Sequence, residues 1–248
     1  MSITTPNQAA KAATLIRYLA IILLLLLPVA ALGTRAGLWA YTLGLLLVSI
    51  SLLGSLLLQV INAIWLWCKP AAATRTTLRW ASLFALPPLI LIALMMFANT
   101  GARAPIHNIS TDTHNPPEFV AAVAQRGDNS NALDYTADVA EIQRQTYPEL
   151  GPIITPLNPT QAFNQALVSA QKMGWKVYAQ DLQQGRIEAV ATTFWFGFKD
   201  DIVIRIQASD SGSKVDLRSV SRVGRGDMGA NAKRIKQFTE TFGKLSKL

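Results

Sequence analysis

Arg218, Ser219, Ser221, Arg222, Arg225, Asp227, Asn231 and Arg234 crowd into the eighteen residues RSVSRVGRGDMGANAKRI, and Asp200, Asp201 and Arg205 stand shortly before them. Strand alternation places Asp216, Arg218, Val220 and Arg222 on one face and Val215, Leu217, Ser219 and Ser221 on the other. Asp227, Asn231 and Arg234 are spaced four and three apart, so on a helix they share one stripe. Gly224, Gly226 and Gly229 let the chain between strand and helix turn tightly. The expected product is one compact cluster of opposite charges where the last strand meets the last helix.

Three chemistries suit those residue types. The first is architectural, with Arg to Asp pairs pinning the strand to the helix. The second is anion binding: Asp227 serves as an N-cap, and the N–H groups after it act with the guanidinium groups of Arg218, Arg222 and Arg225 on a phosphate or carboxylate. Asp227 competes for the same donors. Residues 218–248 nevertheless hold eight basic and two acidic side chains, a net +6 against −4 over residues 104–198. The third is hydrolysis of envelope material by the Asp/Ser/Arg cluster, and here the residues needed for chemistry are missing. No histidine lies near Ser219 or Ser221 in sequence, and no GxSxG elbow surrounds them. Asp200 and Asp201 are adjacent, so a strand sends them to opposite sides, which is poor geometry for a shared cation. His107 and His114, the only histidines, are seven residues apart and lack the spacing of a ligand pair. No catalytic set, metal site or cofactor is expected.

The elements that would hold the cluster can be read from periodicity. Asn158 and Pro159 open a helix whose apolar face is Ala162, Phe163, Ala166, Leu167, Ala170 and Met173. Four alternating segments on short turns follow, with the second running from Arg186 as far as Phe196, and then a helix carrying Ala232, Ile235, Phe238 and Phe242. Residues 157–248 thus read as helix, four-stranded antiparallel meander and C-terminal helix. The segment 104–156, rich in Pro, Asn, Thr and Asp, reads as irregular chain with short helices, one starting near Pro117 and one ending near Thr146. The aromatic run Phe194, Trp195, Phe196 and Phe198 is expected in the core, with lipid contact at a sheet edge as the alternative.

RSVSRVGRGDMGANAKRI, together with GFKDD (197–201), GRIEA (185–189) and the upstream STD and PPEF pieces, resembles the DUF1499 family over about residues 106–243. The resemblance implies a membrane-anchored envelope domain without an established activity.

The first 103 residues carry seven Lys/Arg and three long apolar runs, and no Asp or Glu occurs before Asp112. Helices at about 18–33, 38–66 and 80–99 are each of a length to cross a hydrocarbon core of about 30 Å. With the N-terminus in the cytoplasm, Lys11, Arg17, Lys69, Arg75 and Arg79 lie inside against Arg35 and Arg103 outside, five to two. The domain after the third span is then extracytoplasmic, in a multi-pass protein of the cytoplasmic membrane. Val29-Ala30-Ala31 resembles a signal-peptidase site, and cleavage there leaves the domain on the same side. Retention is favoured because the turn that follows leads straight into the next helix. Most of the formal +8 is this flanking charge, which argues against a nucleic-acid partner. Gly44, Val48, Ser51, Ser55, Gln59 and Asn62 form a small and amide stripe suited to helix packing. Cys68, the only cysteine, is assigned no role.

The reading is therefore α+β: a three-helix transmembrane region over residues 1–103, then a soluble domain with a four-stranded antiparallel sheet flanked by helices. It is a binding or structural module of the cell envelope. Its expected partners are the bilayer and an anionic lipid or acidic envelope polymer.

Overall fold

Basic residues before the first and third apolar runs are helical, so these two helices start upstream of the runs that announce them. In a computed structural model that describes residues 6–98 and 104–245, α1 spans Pro6–Arg35, α2 Tyr41–Trp67 and α3 Ala72–Ala98. The expected starts near residues 18 and 80 move upstream because Lys11, Arg17, Arg75 and Arg79 are good helix formers; hydropathy marks the apolar stretch, not the helix. Asn99 and Arg103, which entered the span and charge readings, lie outside the described residues. All three helices are long and apolar enough to cross a bilayer, and many of their leucines face outward, Leu25, Leu53 and Leu94 being more than half exposed.

The stripe on α2 faces its neighbours within this bundle. Gly44, Ser51, Ser55 and Asn62 are buried, and a Cβ on Gly44 would lie 2.0 Å from Thr34 Oγ1. Ser51 Oγ donates to Leu23 O at 2.6 Å, and Gln59 Nε2 donates to Ser82 O at 2.9 Å. The second bond lies beside the carbonyls that Pro87 and Pro88 deprive of helical donors.

The chain divides into two compact units, and the second comprises residues 101–194 and 198–248. In order, it carries β1 (Asn108–Ser110), α4 (Ala122–Gln125), α5 (Ala137–Thr146), β2 (Ile153–Thr155), α6 (Pro159–Lys172), β3 (Lys176–Asp181), β4 (Arg186–Thr192), β5 (Lys199–Ser209), β6 (Gly212–Ser221) and α7 (Ala230–Leu245). The meander β3 to β6 is present, and two short strands extend it to six in the order β1-β6-β5-β4-β3, with β2 also on β6. All pairings are antiparallel. β1 and β2 share one edge of β6, opposite residues 218–220 and 213–215. The segment expected to be irregular thus completes the sheet.

Local chemistry sets the helix ends. Asn158 and Gln161 form a reciprocal capping box with Pro159 at the start of α6, and Gly174, at φ +71°, follows its end. Thr136 caps α5. The helix expected near Pro117 begins instead at Ala122. Pro116 and Pro117 favour extended backbone before it, and the Glu188 carboxylate gathers the N–H groups of Val120, Ala121 and Ala122 at 2.8–2.9 Å.

α6 and α7 lie on one face of the sheet. Phe163, Ala166, Ala170, Ala232, Ile235, Phe238 and Phe242 close over Ile187, Ala189, Ile202, Ile204, Val215 and Leu217. Trp175 stacks on Phe238 with centroids 5.4 Å apart. The opposite face is not apolar: its long polar side chains are bonded to residues 108–135.

β4 stops at Thr192, short of the expected Phe196. Thr193 N donates to Phe198 O at 2.8 Å, and Phe198 N donates to Thr193 Oγ1 at 2.9 Å, closing a hairpin whose tip holds Gly197 at φ +68°. The aromatic run is therefore not in the core: Phe194 is 76% and Trp195 59% exposed. A contiguous aromatic run has no alternation to say which members face inward, and the core is already filled from the strands.

Candidate functional site

The eleven polar residues do not form one cluster. Asp200 and Asp201 are neighbours on β5 and point to opposite faces of the sheet, so most of the group falls on one face or the other.

On the helix face, Arg234 of α7 pairs with Asp200 and also donates to Ser219 Oγ at 3.0 Å and to Asn231 Oδ1. Ser219 Oγ donates to Asn231 Oδ1 at 2.6 Å. The amide nitrogen of Asn231 donates to Ser221 Oγ at 2.9 Å and to His107 O at 3.0 Å. A fully buried Asn231 thus ties α7 to β6 and to the residue before β1. Asp227 is not the N-cap of α7, which begins three residues later, after Met228 and Gly229 at φ 54° and 83°. Its carboxylate still takes the first donors, from Gly229 N at 2.8 Å and Asn231 N at 2.7 Å. Burial pushes that carboxyl above the ordinary range, against the pull of those two N–H groups. Arg234 and Arg222 pair instead with other carboxylates, Arg234 with Asp200 and Arg222 with Asp201.

On the opposite face, the fully buried Asp201 lies between two guanidinium groups. Arg222 grips it with Nε and Nη2 at 2.9 and 2.7 Å, and Arg126 Nη1 adds a bond of 2.6 Å. Its own hydrogen bonds to Asp201 raise the Arg222 pKa above the ordinary arginine value. Burial and the charge of Asp201 push the Tyr178 hydroxyl well up. Asn131 fastens the same corner, donating from its amide nitrogen to Ser221 O at 3.0 Å and Gly224 O at 2.8 Å.

Arg218 is enclosed without a carboxylate bond. Nε donates to Asn108 Oδ1 at 3.0 Å, Nη1 to Pro117 O at 3.2 Å and Nη2 to Leu133 O. The rings of Phe119 and Tyr135 lie 5.2 and 5.4 Å from its guanidinium carbon. Burial brings its pKa down to about 10, still charged at neutral pH, and pushes Tyr135 up to about 12.

Arg205 belongs to a third group further along β5. Its Nη2 lies 2.9 Å from Asp216 and 3.2 Å from Asp112, and Lys214 reaches the same two carboxylates at 3.3 and 3.0 Å. Thr111 Oγ1 donates to Asp216 Oδ1 at 3.0 Å. Burial pushes Asp112 up, but the N–H of Asn115, the Lys214 ammonium and the N–H of His114 outweigh it and hold the carboxyl below the ordinary range. Arg225 is exposed and joins none of these groups through its side chain; its carbonyl faces His107 Nδ1 at 3.3 Å.

Asn108, Asp112, Arg126, Asn131, Tyr178 and Glu188 complete the arrangement and were not among the expected residues. One signal for them stood in the chain: Asp216 and Glu188 sit inside apolar strands, and buried carboxylates need donors from somewhere. Where those donors lie is not written locally.

The chemistry available to this arrangement is limited. Ser219 Oγ donates to the Asn231 amide oxygen and accepts from Arg234, and neither of these partners is a general base. Among the described residues, no group of three or more His, Cys, Asp or Glu is placed to hold a metal ion. Arg218, Arg222 and Arg234 are committed to internal acceptors, so they do not present guanidinium groups to a common anion. Of the described basic residues behind the +6 of the last strand and helix, Arg225, Lys233 and Lys244 are exposed and pair with no described carboxylate, while Lys236 pairs with Glu149.

The protein is thus one with three long apolar helices followed by a helix-flanked antiparallel sheet, in which a charged motif binds strand, helix and N-terminal segment together. Residues 108–242 match the model of a family described as protein of unknown function (DUF1499), and the chain belongs to that family. No curated protein matches the chain.

Proposed function

We propose that this chain is a membrane-anchored module of the cell envelope, with its sheet domain outside the cytoplasmic membrane as a binding or structural platform. The observation that carries the proposal is the odd number of apolar helices ahead of the domain, with basic residues divided five to two in favour of a cytoplasmic N-terminus. The buried charges of the motif then serve the platform's architecture. Its ligand, on this reading, is anionic or lipidic and meets exposed groups such as Arg225, Lys233 and Lys244, not the enclosed arginines. The activity of paired topology reporters fused after Leu248 tests the orientation. A reporter that works only outside the cytoplasm is expected to be active and a cytoplasmic one silent; the reverse pattern overturns the proposal.

A further inference from the structure

The apolar core of the sheet domain takes its members from Ala104 to Ile109 and then from Val139 onward, and among the described residues none comes from the stretch between. That stretch lies instead on the sheet face opposite α6 and α7. It leaves β1 at Thr111, whose N–H donates to Leu217 O at 2.8 Å, and it ends where Tyr135 Oη donates to Gln143 Oε1 at 2.8 Å and Thr136 caps α5. Both ends are fixed, and residues 112–134 hang between them as a strap.

Charged groups hold the strap down. Asp112 reaches Arg205 and Lys214 at 3.2 and 3.0 Å, the Glu188 carboxylate takes the N–H groups of Val120, Ala121 and Ala122, and Arg126 Nη1 reaches Asp201 at 2.6 Å. Arg218 and Arg222 donate to the strap carbonyls of Pro117, Leu133 and Gln125. Apolar contact adds little: Ala122 is buried, but Val120 and Val123 are 54% and 64% exposed. A contact between charges sets its Coulomb attraction against the lost hydration of both partners and nets little, whereas buried apolar area stabilises in proportion to its extent. When the strap lifts, Glu188, Asp201 and Arg218 regain water, while Asp201 keeps Arg222 and Arg218 keeps Asn108. The apolar core loses none of its members. Lifting the strap therefore takes less free energy than unfolding the domain. The strap is also acidic, with Asp112, Glu118, Asp128 and Asp134 against Arg126, and it lies over Arg218, which bonds only neutral acceptors; opposite charge favours reclosure on the same face.

We propose that residues 112–134 lift from the sheet as one unit while the α6–α7 core stays folded, a conformational switch that seals Glu188, Asp201 and Arg218 in one state and opens them to solvent in the other. The inference goes beyond the anchoring proposed above and depends neither on the membrane nor on which side the domain occupies.

Hydrogen exchange of the full-length chain in detergent tests it at the amides of Val120, Ala121, Ala122 and Asn131, which bond to Glu188 and to Arg222 O, with the amides of β5 as the reference. Arg126→Ala breaks one tie and leaves Asp201 its pair with Arg222. In the unaltered chain the strap amides are expected to exchange several-fold faster than those of β5. Arg126→Ala is expected to speed all four by one common factor and leave β5 unchanged, although it touches neither Glu188 nor its bonds. A thiol probe in a Cys68→Ser background reads access to the face beneath. Val203, opposite Arg218 and Glu188, lies on the strap side, and Ile204 lies in the apolar core; both are fully buried. A thiol reagent should reach Val203→Cys faster than Ile204→Cys, and Arg126→Ala should widen the gap. Strap amides as slow as those of β5, acceleration of Asn131 alone, an equal gain in strap and β5, or equal labelling at 203 and 204 each overturns the inference.

Discussion

The two faces of the β5–β6 ribbon both end in buried polar residues, yet they hold them differently. On the helix face, one ion pair, Asp200 with Arg234, is spread through the neutral groups of Ser219, Ser221 and Asn231. On the other face, Asp201 receives two guanidinium groups and Arg218 is enclosed by carbonyls and rings. The helix-face clamp joins β5, β6 and α7, which follow one another in the chain, and reaches beyond them only through the bond from Asn231 to His107 O. The opposite clamp draws the N-terminal part of the domain onto a finished meander. A carboxylate that neutralises two cations is harder to lose than one that neutralises one.

That difference orders the effects of breaking each face. Asp201→Ala leaves Arg126 and Arg222 buried without their carboxylate and should destabilise the sheet domain by about 3–5 kcal/mol. Thermal unfolding of the detergent-solubilised chain, followed by hydrogen exchange over residues 104–245, measures it. Asp200→Ala should cost less, about 1–3 kcal/mol, because only one guanidinium, that of Arg234, loses its carboxylate. Equal losses from the two substitutions would remove the distinction between the faces.

The smallest effects are those of acid. Asp112 is held below its ordinary pKa, so the stability it contributes is present above about pH 4 and is lost as pH falls through its folded value. Asp227 is pushed above its own, so its ionisation costs stability above the folded value, and that cost fades as pH falls toward about 4. Stability measured against pH should therefore lose part of its acid limb in Asp112→Asn. Asp227→Asn should remove a slope of opposite sign at higher pH. Slopes of the same sign in the two variants contradict this account.

Legibility in the sequence follows the same divide. Most helix-face residues are close in the chain, Asn231 lying 12 residues from Ser219, so strand and helix periodicity brings them together, whereas the bond from Asn231 to His107 O spans 124 residues. Asp201 and Arg126 are 75 residues apart, and Arg218 and Asn108 are 110 apart. No local period spans such distances. β1 and β2 have three residues each, too few to show alternation, which is why a four-stranded meander was readable and the six-stranded sheet was not. Asp227 looked like a cap because it precedes a helical stripe, whereas the left-handed Met228 and Gly229 delay the helix. The capping box at Asn158 and the meander were legible because each rests on neighbours in sequence.

The central claim is that the charged motif holds this domain together, more strongly on the Asp201 face than on the Asp200 face. Double-mutant cycles on Asp201 with Arg222 and on Asp200 with Arg234, read from unfolding of the full-length chain, test it most directly. The expected result is a coupling above about 0.5 kcal/mol for both pairs, larger for Asp201 with its bidentate partner. Additive effects at both pairs, with each single variant as stable as the parent, would contradict the claim and free these charges for a role outside the fold.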